Sequence, residues 1–212
     1  MPNRALTLFA ALVLAAPAAA QTYTSPGAFF GAAGTPSYTE TFESVPIPKD
    51  AAFAAFTQAG ITYSGQAGTN VWVASPGYNN FGAGLNPTTS SILTANGDEN
   101  FLIQFLTPYS AVGFDVYYNG LGPATSSFYN GTTLLGSIFY NGAAFLGFNG
   151  YIASSSMPVT SVQFVSTLGG QLNTGIDNLA VYSTTVATPE PSTLPLLATG
   201  LAGLLLFRRR RA

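Results

Sequence analysis

The chain predicts an all-β fold, an antiparallel jelly-roll-like β-sandwich flanked by an N-terminal signal peptide and a single C-terminal transmembrane helix. Three observations carry that prediction. Runs of β-branched and aromatic residues recur between clusters of Gly, Pro, Asn and Ser, as strands do. Several runs alternate apolar and polar residues, which buries one face and wets the other. Long apolar stretches stand at the two extremities of the chain.

At the start, Met1 to Arg4 is short and positive, Ala5 to Ala16 is apolar except for Thr7, and Ala18-Ala19-Ala20 is a small-residue cleavage site. That order predicts a secretory signal peptide over residues 1–20. Residues 21–36 read as a linker, and residues 37–184 as one domain of ordinary size. The one helical candidate is Asp50 to Gln58. Strands are expected at Phe101–Phe105, Ala111–Tyr118, Thr132–Tyr140, Val159–Val165 and Ile176–Tyr182. Val112, Phe114 and Val116 share one face, as do Val162 and Phe164.

Tyr-Asn-Gly recurs at 118–120, 129–131 and 140–142, with Phe148-Asn149-Gly150 as an echo. Asn130-Gly131 predicts a type I′ hairpin between Ser126–Tyr129 and Thr132–Tyr140. The recurrence reads first as a meander with aromatic strand ends, and second as a row of tyrosines for stacking on sugars. Asn130-Gly131-Thr132 also matches a glycosylation sequon by chance. Asp98-Glu99 reads as a solvated turn.

Composition closes off several functions. The chain has no cysteine and no histidine, which excludes disulfides, thiolate and His-based zinc sites, and Ser-His-Asp or Cys-His catalysis. Between residues 21 and 188 stand Glu40, Glu43, Asp50, Asp98, Glu99, Asp115 and Asp177 against Lys49 alone, a net charge of −6. Nucleic-acid binding needs clustered cations and is excluded. Lys49, between Pro48 and Asp50, reads as an exposed loop residue. An enzyme built from this chain would be a two-carboxylate glycosidase, drawing on Glu40, Glu43, Asp115 and Asp177.

At the end, residues 185–193 form a linker containing Pro189-Glu190-Pro191. An apolar segment at 194–207 follows, and then a basic tail at 208–212 with Arg208, Arg209, Arg210 and Arg211. Guanidinium groups beside hydrocarbon hold that end in the cytoplasm and leave the body outside. The segment is shorter than the ~20 residues of a comfortable span, which suits a transient anchor.

This order of Pro-Glu-Pro, short apolar helix and arginine cluster resembles the PEP-CTERM sorting signal of exopolysaccharide-producing Gram-negative bacteria. The resemblance implies that Pro189, Glu190 and Pro191 are recognised by an exosortase that removes the helix. The protein would then pass from an inner-membrane precursor facing the periplasm to the surface or matrix. A weaker resemblance joins Thr41-Phe42-Glu43, Val112–Val116, Phe145–Phe148, Val162–Phe164 and Ile176–Leu179 to galactose-binding-like and carbohydrate-binding jelly rolls. It implies paired first and last strands, and a structural Ca²⁺ held by Glu43 and Asp177, with Glu40.

Two functions are therefore expected. The first is a non-catalytic surface or matrix protein associated with exopolysaccharide or biofilm. A glycan-binding form would use Trp72, Tyr78, Phe81, Tyr118 or Tyr129 as stacking platforms, with Asn79, Asn80 and Asn119 bonding hydroxyls. The alternative is an exported, carboxylate-dependent glycan hydrolase.

Overall fold

A computed structural model describes residues 20–78, 88–96, 100–118, 122–141, 145–166 and 174–183. The expected signal peptide, Pro-Glu-Pro segment, transmembrane helix and arginine tail lie outside the described residues, as do Asp98-Glu99, Asn79, Asn80, Phe81 and Asn119. Among the described residues, no helix is long and apolar enough to cross a membrane.

The elements run β1 (Gln21–Tyr23), α1 (Pro26–Ala33), β2 (Tyr38–Glu40), β3 (Ala52–Phe53), β4 (Ala55–Gln58), β5 (Ile61–Gly65) and β6 (Asn70–Ala74). They continue with β7 (Ile92–Asn96), β8 (Phe101–Tyr118), β9 (Ala124–Asn130), β10 (Thr133–Tyr140), β11 (Phe145–Ile152), β12 (Val159–Ser166) and β13 (Thr174–Ser183). All pairings are antiparallel.

The fold turns on β8, which the sequence divides into two strands and the structure keeps as one of 18 residues. Its first part pairs with β5 and β12, and its second with β11 and β13. Phe101, Ile103 and Phe105 are buried in the first part, and Val112, Phe114, Val116 and Tyr118 in the second. The buried residues change from odd to even numbers across the exposed stretch at Leu106–Pro108. One strand thus turns a corner and contributes to both layers, a device of sandwiches whose strands switch sheets.

One layer runs β10-β9-β12-β8-β5-β4, and the other runs β1-β11-β8-β13 with β2 and β7-β6-β3 beyond it. Between them Phe114 meets Phe128 and Phe164, and Phe128 stacks on Tyr151. β2 lies against β13, with Glu40 opposite Leu179, so the early and closing strands are neighbours. The architecture is the antiparallel, jelly-roll-like β-sandwich that the alternation predicts.

Three local expectations are corrected. Residues 21–36 are not a linker: β1 pairs with β11, and α1 packs on the outer face of the second layer. Ser25 caps α1, Pro26 starts it, and Gly34 at φ 82° ends it, signals that name a short helix once read together. Asp50 to Gln58 is not helical. Asp50 has φ 62°, and strands follow at β3 and β4, because packing of Phe56 into the core outweighs the weak helical preference of alanine. The β9–β10 loop is Gly131-Thr132, one residue later than expected. Asn130 pairs with Thr133 and only Gly131 has positive φ, which fits type II′. The Asn130 amide instead donates to the Pro158 carbonyl at 2.6 Å.

Phe29 of α1 is fully buried above a pair of glycines, Gly113 of β8 and Gly150 of β11, which face each other in register. A Cβ at either position would stand 2.5 Å from the Phe29 ring. The two glycines therefore form the notch that receives Phe29, beside Phe148 and Tyr182. Phe29→Ala is expected to lower the unfolding free energy by about 3–5 kcal/mol, and Gly113→Ala by about 1–3 kcal/mol through overpacking. Urea denaturation followed by circular dichroism measures both.

Candidate functional site

Beside α1, on the outer face of the second layer, lies a cleft of about 570 Å³. Its floor is made by Asp115–Tyr117 of β8 and Gly175–Asn178 of β13. Leu146–Phe148 of β11 and Pro26 form one wall, and Thr88, Ser90 and Ile92 the other. Apolar surface and a few polar groups converge here, the usual make-up of a small-molecule site.

The polar floor comes from a break in the β8–β13 ladder. Asp115 pairs with Asp177, and the register then shifts before Ala180 meets Gly113. At this bulge Asn178 takes φ 50°, a left-handed conformation that asparagine tolerates better than most residues. Its side-chain amide donates to Asp115 Oδ2 at 2.8 Å, and its backbone N–H donates to Asp177 Oδ1 at 2.7 Å. Ser90 Oγ donates to Asp177 Oδ2 at 2.5 Å. Bulges re-aim side chains in this way beside functional sites.

Asp115 is exposed while Asp177 is 7% exposed. Burial pushes the Asp177 carboxyl above its usual range, and the charges of Asp115 and Glu43 push the same way. The hydrogen bonds from Ser90 and Asn178 act against that shift. The cleft therefore offers one solvated carboxylate acceptor, one desolvated one, and the half-buried Tyr117 on the same face.

The resemblance assigns a calcium to Glu43 and Asp177, with Glu40. Among the described residues, no group of three acidic side chains could hold a metal ion. Glu40 is buried and accepts from the Tyr38 hydroxyl at 2.6 Å and the Phe42 N–H at 2.8 Å. Burial, then the Glu40 hydrogen bond, pushes the Tyr38 hydroxyl up to about 12. Phe42, whose N–H donates to Glu40, sits at φ 57°, strain of about 1–3 kcal/mol for a bulky residue.

Glu43 accepts from the Ser91 N–H at 2.6 Å, and its other oxygen accepts from Ser91 Oγ and Lys49 Nζ, both at 3.0 Å. Lys49 also donates to Ser91 Oγ at 2.6 Å, so the single lysine is a paired tie and not a free loop residue. Ser90 on Asp177 and Ser91 on Glu43 fasten one cleft wall to two carboxylates.

The expected stacking aromatics are scattered. Trp72 of β6 is half-buried with its ring 6.0 Å from that of Tyr78, and Tyr129 of β9 lies on the other layer. Tyr118 is corrected outright. It is fully buried, packed against Tyr140 and donating to the Gly122 carbonyl, because its even number puts it on the core face with Val116. Tyr117, its neighbour, faces the cleft and was overlooked. Strand parity through Val112, Phe114 and Val116 was the signal that could have found it.

Residues 187–211 match the PEP-CTERM protein-sorting motif. The chain therefore carries the signal of an exported protein sorted to the cell envelope. No curated protein matches the chain.

Among solved structures, the chain is similar to the K2 cleaved adhesin domain of Lys-gingipain, at 14% identity and TM-score 0.47, covering 68% of this chain and 96% of that one. It is also similar to modules of the Clostridium thermocellum endo-1,4-beta-D-xylanase 10B complexed with xylohexaose, at 11% identity and TM-score 0.38, covering 71% and 29%. A variant of a family 29 carbohydrate-binding module is similar at 10% identity and TM-score 0.30, covering 82% and 99%.

Glu43 is held below its usual 4.5 by the Ser91 N–H first and Lys49 second. A lowered folded-state pKa contributes stability that is present above the usual value and lost as pH falls through the folded one. Glu43→Gln should therefore melt below wild type at neutral pH. The gap should close as the pH falls below 4.5 and through the lowered folded-state value, as read by thermal melts across pH.

Proposed function

We propose that this protein is a non-catalytic, exported glycan-binding domain that uses the cleft beside α1. One observation carries this reading. Asp115, Asn178 and Tyr117 share the outer face of one bent sheet in an open cleft, and acceptors beside an aromatic ring suit sugar hydroxyls and a sugar's apolar face. The sorting motif at 187–211 supports delivery to an envelope where polysaccharide is at hand. The partners are then an exosortase during processing and an exopolysaccharide or other matrix glycan afterwards.

Calorimetric titration with the host's purified exopolysaccharide, supported by retardation in affinity gels, tests binding. Asp115→Ala is expected to weaken it about tenfold or more, since hydrogen bonds to a charged group are worth ~1.5–3 kcal/mol, and Tyr117→Ala to weaken it by removing the ring that covers the sugar's apolar face. Trp72→Ala should leave it unchanged. Unaltered affinity in both cleft variants would remove the cleft from the proposal.

The sorting reading has its own check. Intact mass of the exported protein should show loss of the segment after Pro189-Glu190-Pro191, and Glu190→Ala should retain it.

The hydrolase reading is kept alive by Asp115 and Asp177 lying opposite each other on adjacent strands. Against it, both Asp177 oxygens accept protein hydrogen bonds, and the two carboxylates share the cleft floor and do not flank a bond from opposite sides. Release of reducing ends from the same polysaccharide, lost in Asp115→Asn and in Asp177→Asn, would establish the hydrolase instead.

A further inference from the structure

From Val116 to Ile176 the sequence contains no charged residue, and that stretch includes all of β9, β10, β11 and β12. β10 is an edge strand of eight residues whose one strand partner among the described residues is β9. Long edges are normally blunted by lysine, proline or brevity, because an unpaired row of N–H and C=O groups templates further pairing. β10 has neither lysine nor proline. The other edge strands among the described residues, β1, β2, β3 and β4, run three, three, two and four residues.

β10 does carry one protective device, a bulge between Leu134 and Gly136. Beyond it, Gly136 to Tyr140 pair regularly with Phe128 to Ala124. A two-residue hairpin closes on a hydrogen-bonded pair, here Asn130 and Thr133, and hydrogen-bonded and open pairs then alternate. Counted through the bulge, this turns the main-chain groups of Ser137 and Phe139 away from β9. The side chains of Leu134, Ser137 and Phe139 stand on the outer face opposite Tyr129, Ser127 and Thr125. Leu134 is 54% and Phe139 63% exposed, unusual for large apolar groups on a strand edge.

We infer that β10 pairs antiparallel with β10 of a second copy of this chain, about a two-fold axis at Ile138. In that register Ser137 of each copy faces Phe139 of the other, all four outward main-chain groups of each copy are satisfied, and like faces stay together. The occupant is a second copy because the edge complements itself. The domain's net negative charge would repel an identical partner at most surfaces, and here each copy offers none. Eight residues bury less than the ~1,000 Å² of a stable complex. The contact is therefore weak in dilute solution and gains from the high local concentration of copies sorted to one envelope.

The chain has no cysteine, so introduced thiols report this contact cleanly. Full-length chains carrying Ser137→Cys and differently tagged chains carrying Phe139→Cys are co-expressed in an exporting host. The expected result is a reductant-sensitive mixed disulfide at twice the monomer mass, while the turn variant Ser155→Cys, also exposed, gives none.

In parallel, the weight-average mass of cysteine-free protein in sedimentation equilibrium should rise with concentration. Ser137→Lys should abolish the rise with its melting temperature unchanged. The inference is overturned by an absent mixed disulfide, by equal cross-linking at residue 155, or by a folded Ser137→Lys protein that still associates.

Discussion

The corner in β8 is the constraint on which the remaining structure depends. A strand alternates its side chains strictly, so a continuous strand can serve two facing layers only if it reverses which parity looks inward. The exposed residues around Pro108 accomplish that reversal. Every core contact between the layers then follows, because Phe101 and Phe114 can both meet Phe164 only when the strand bends between them. The same reversal puts Asp115 and Tyr117 outside, where the cleft forms.

The cleft and the helix beside it are two uses of one surface. Where β8 and β11 carry glycine, at Gly113 and Gly150, the face is hollow and Phe29 fills it. Two residues further along they carry Asp115 and Phe148, and then Tyr117 and Leu146, and the face opens to solvent. α1 ends the apolar part and bounds the polar part. The bulge at Asn178 completes the site by bringing one asparagine between two carboxylates that the register alone would leave in mutual repulsion, its side-chain amide on Asp115 and its backbone N–H on Asp177.

Much of this was legible in the sequence, because alternation is a local signal. Val112, Phe114, Val116, Val162 and Phe164 are buried as their spacing says, and the hairpin lies within one residue of its expected place. What was not legible depends on partners distant in the chain. Nothing near Lys49 shows that Ser91 waits for it 42 residues away, and no local pattern reveals that β13 breaks register at Asn178. Residues 21–36 were misjudged because glycine and alanine suggest a linker until Ser25-Pro26 and Gly34 are taken as caps. Counting parity one residue further would have exchanged Tyr118 for Tyr117.

The tie between Lys49 and Glu43 has a chemical consequence for a domain sent among sugars. Unprotonated amines attack the carbonyl carbon of a sugar's reducing end, and the chain's one lysine is engaged by the Glu43 carboxylate and the Ser91 hydroxyl. Glycation, the slow covalent damage that carbohydrate inflicts on long-lived proteins, finds almost no side chain here to begin on.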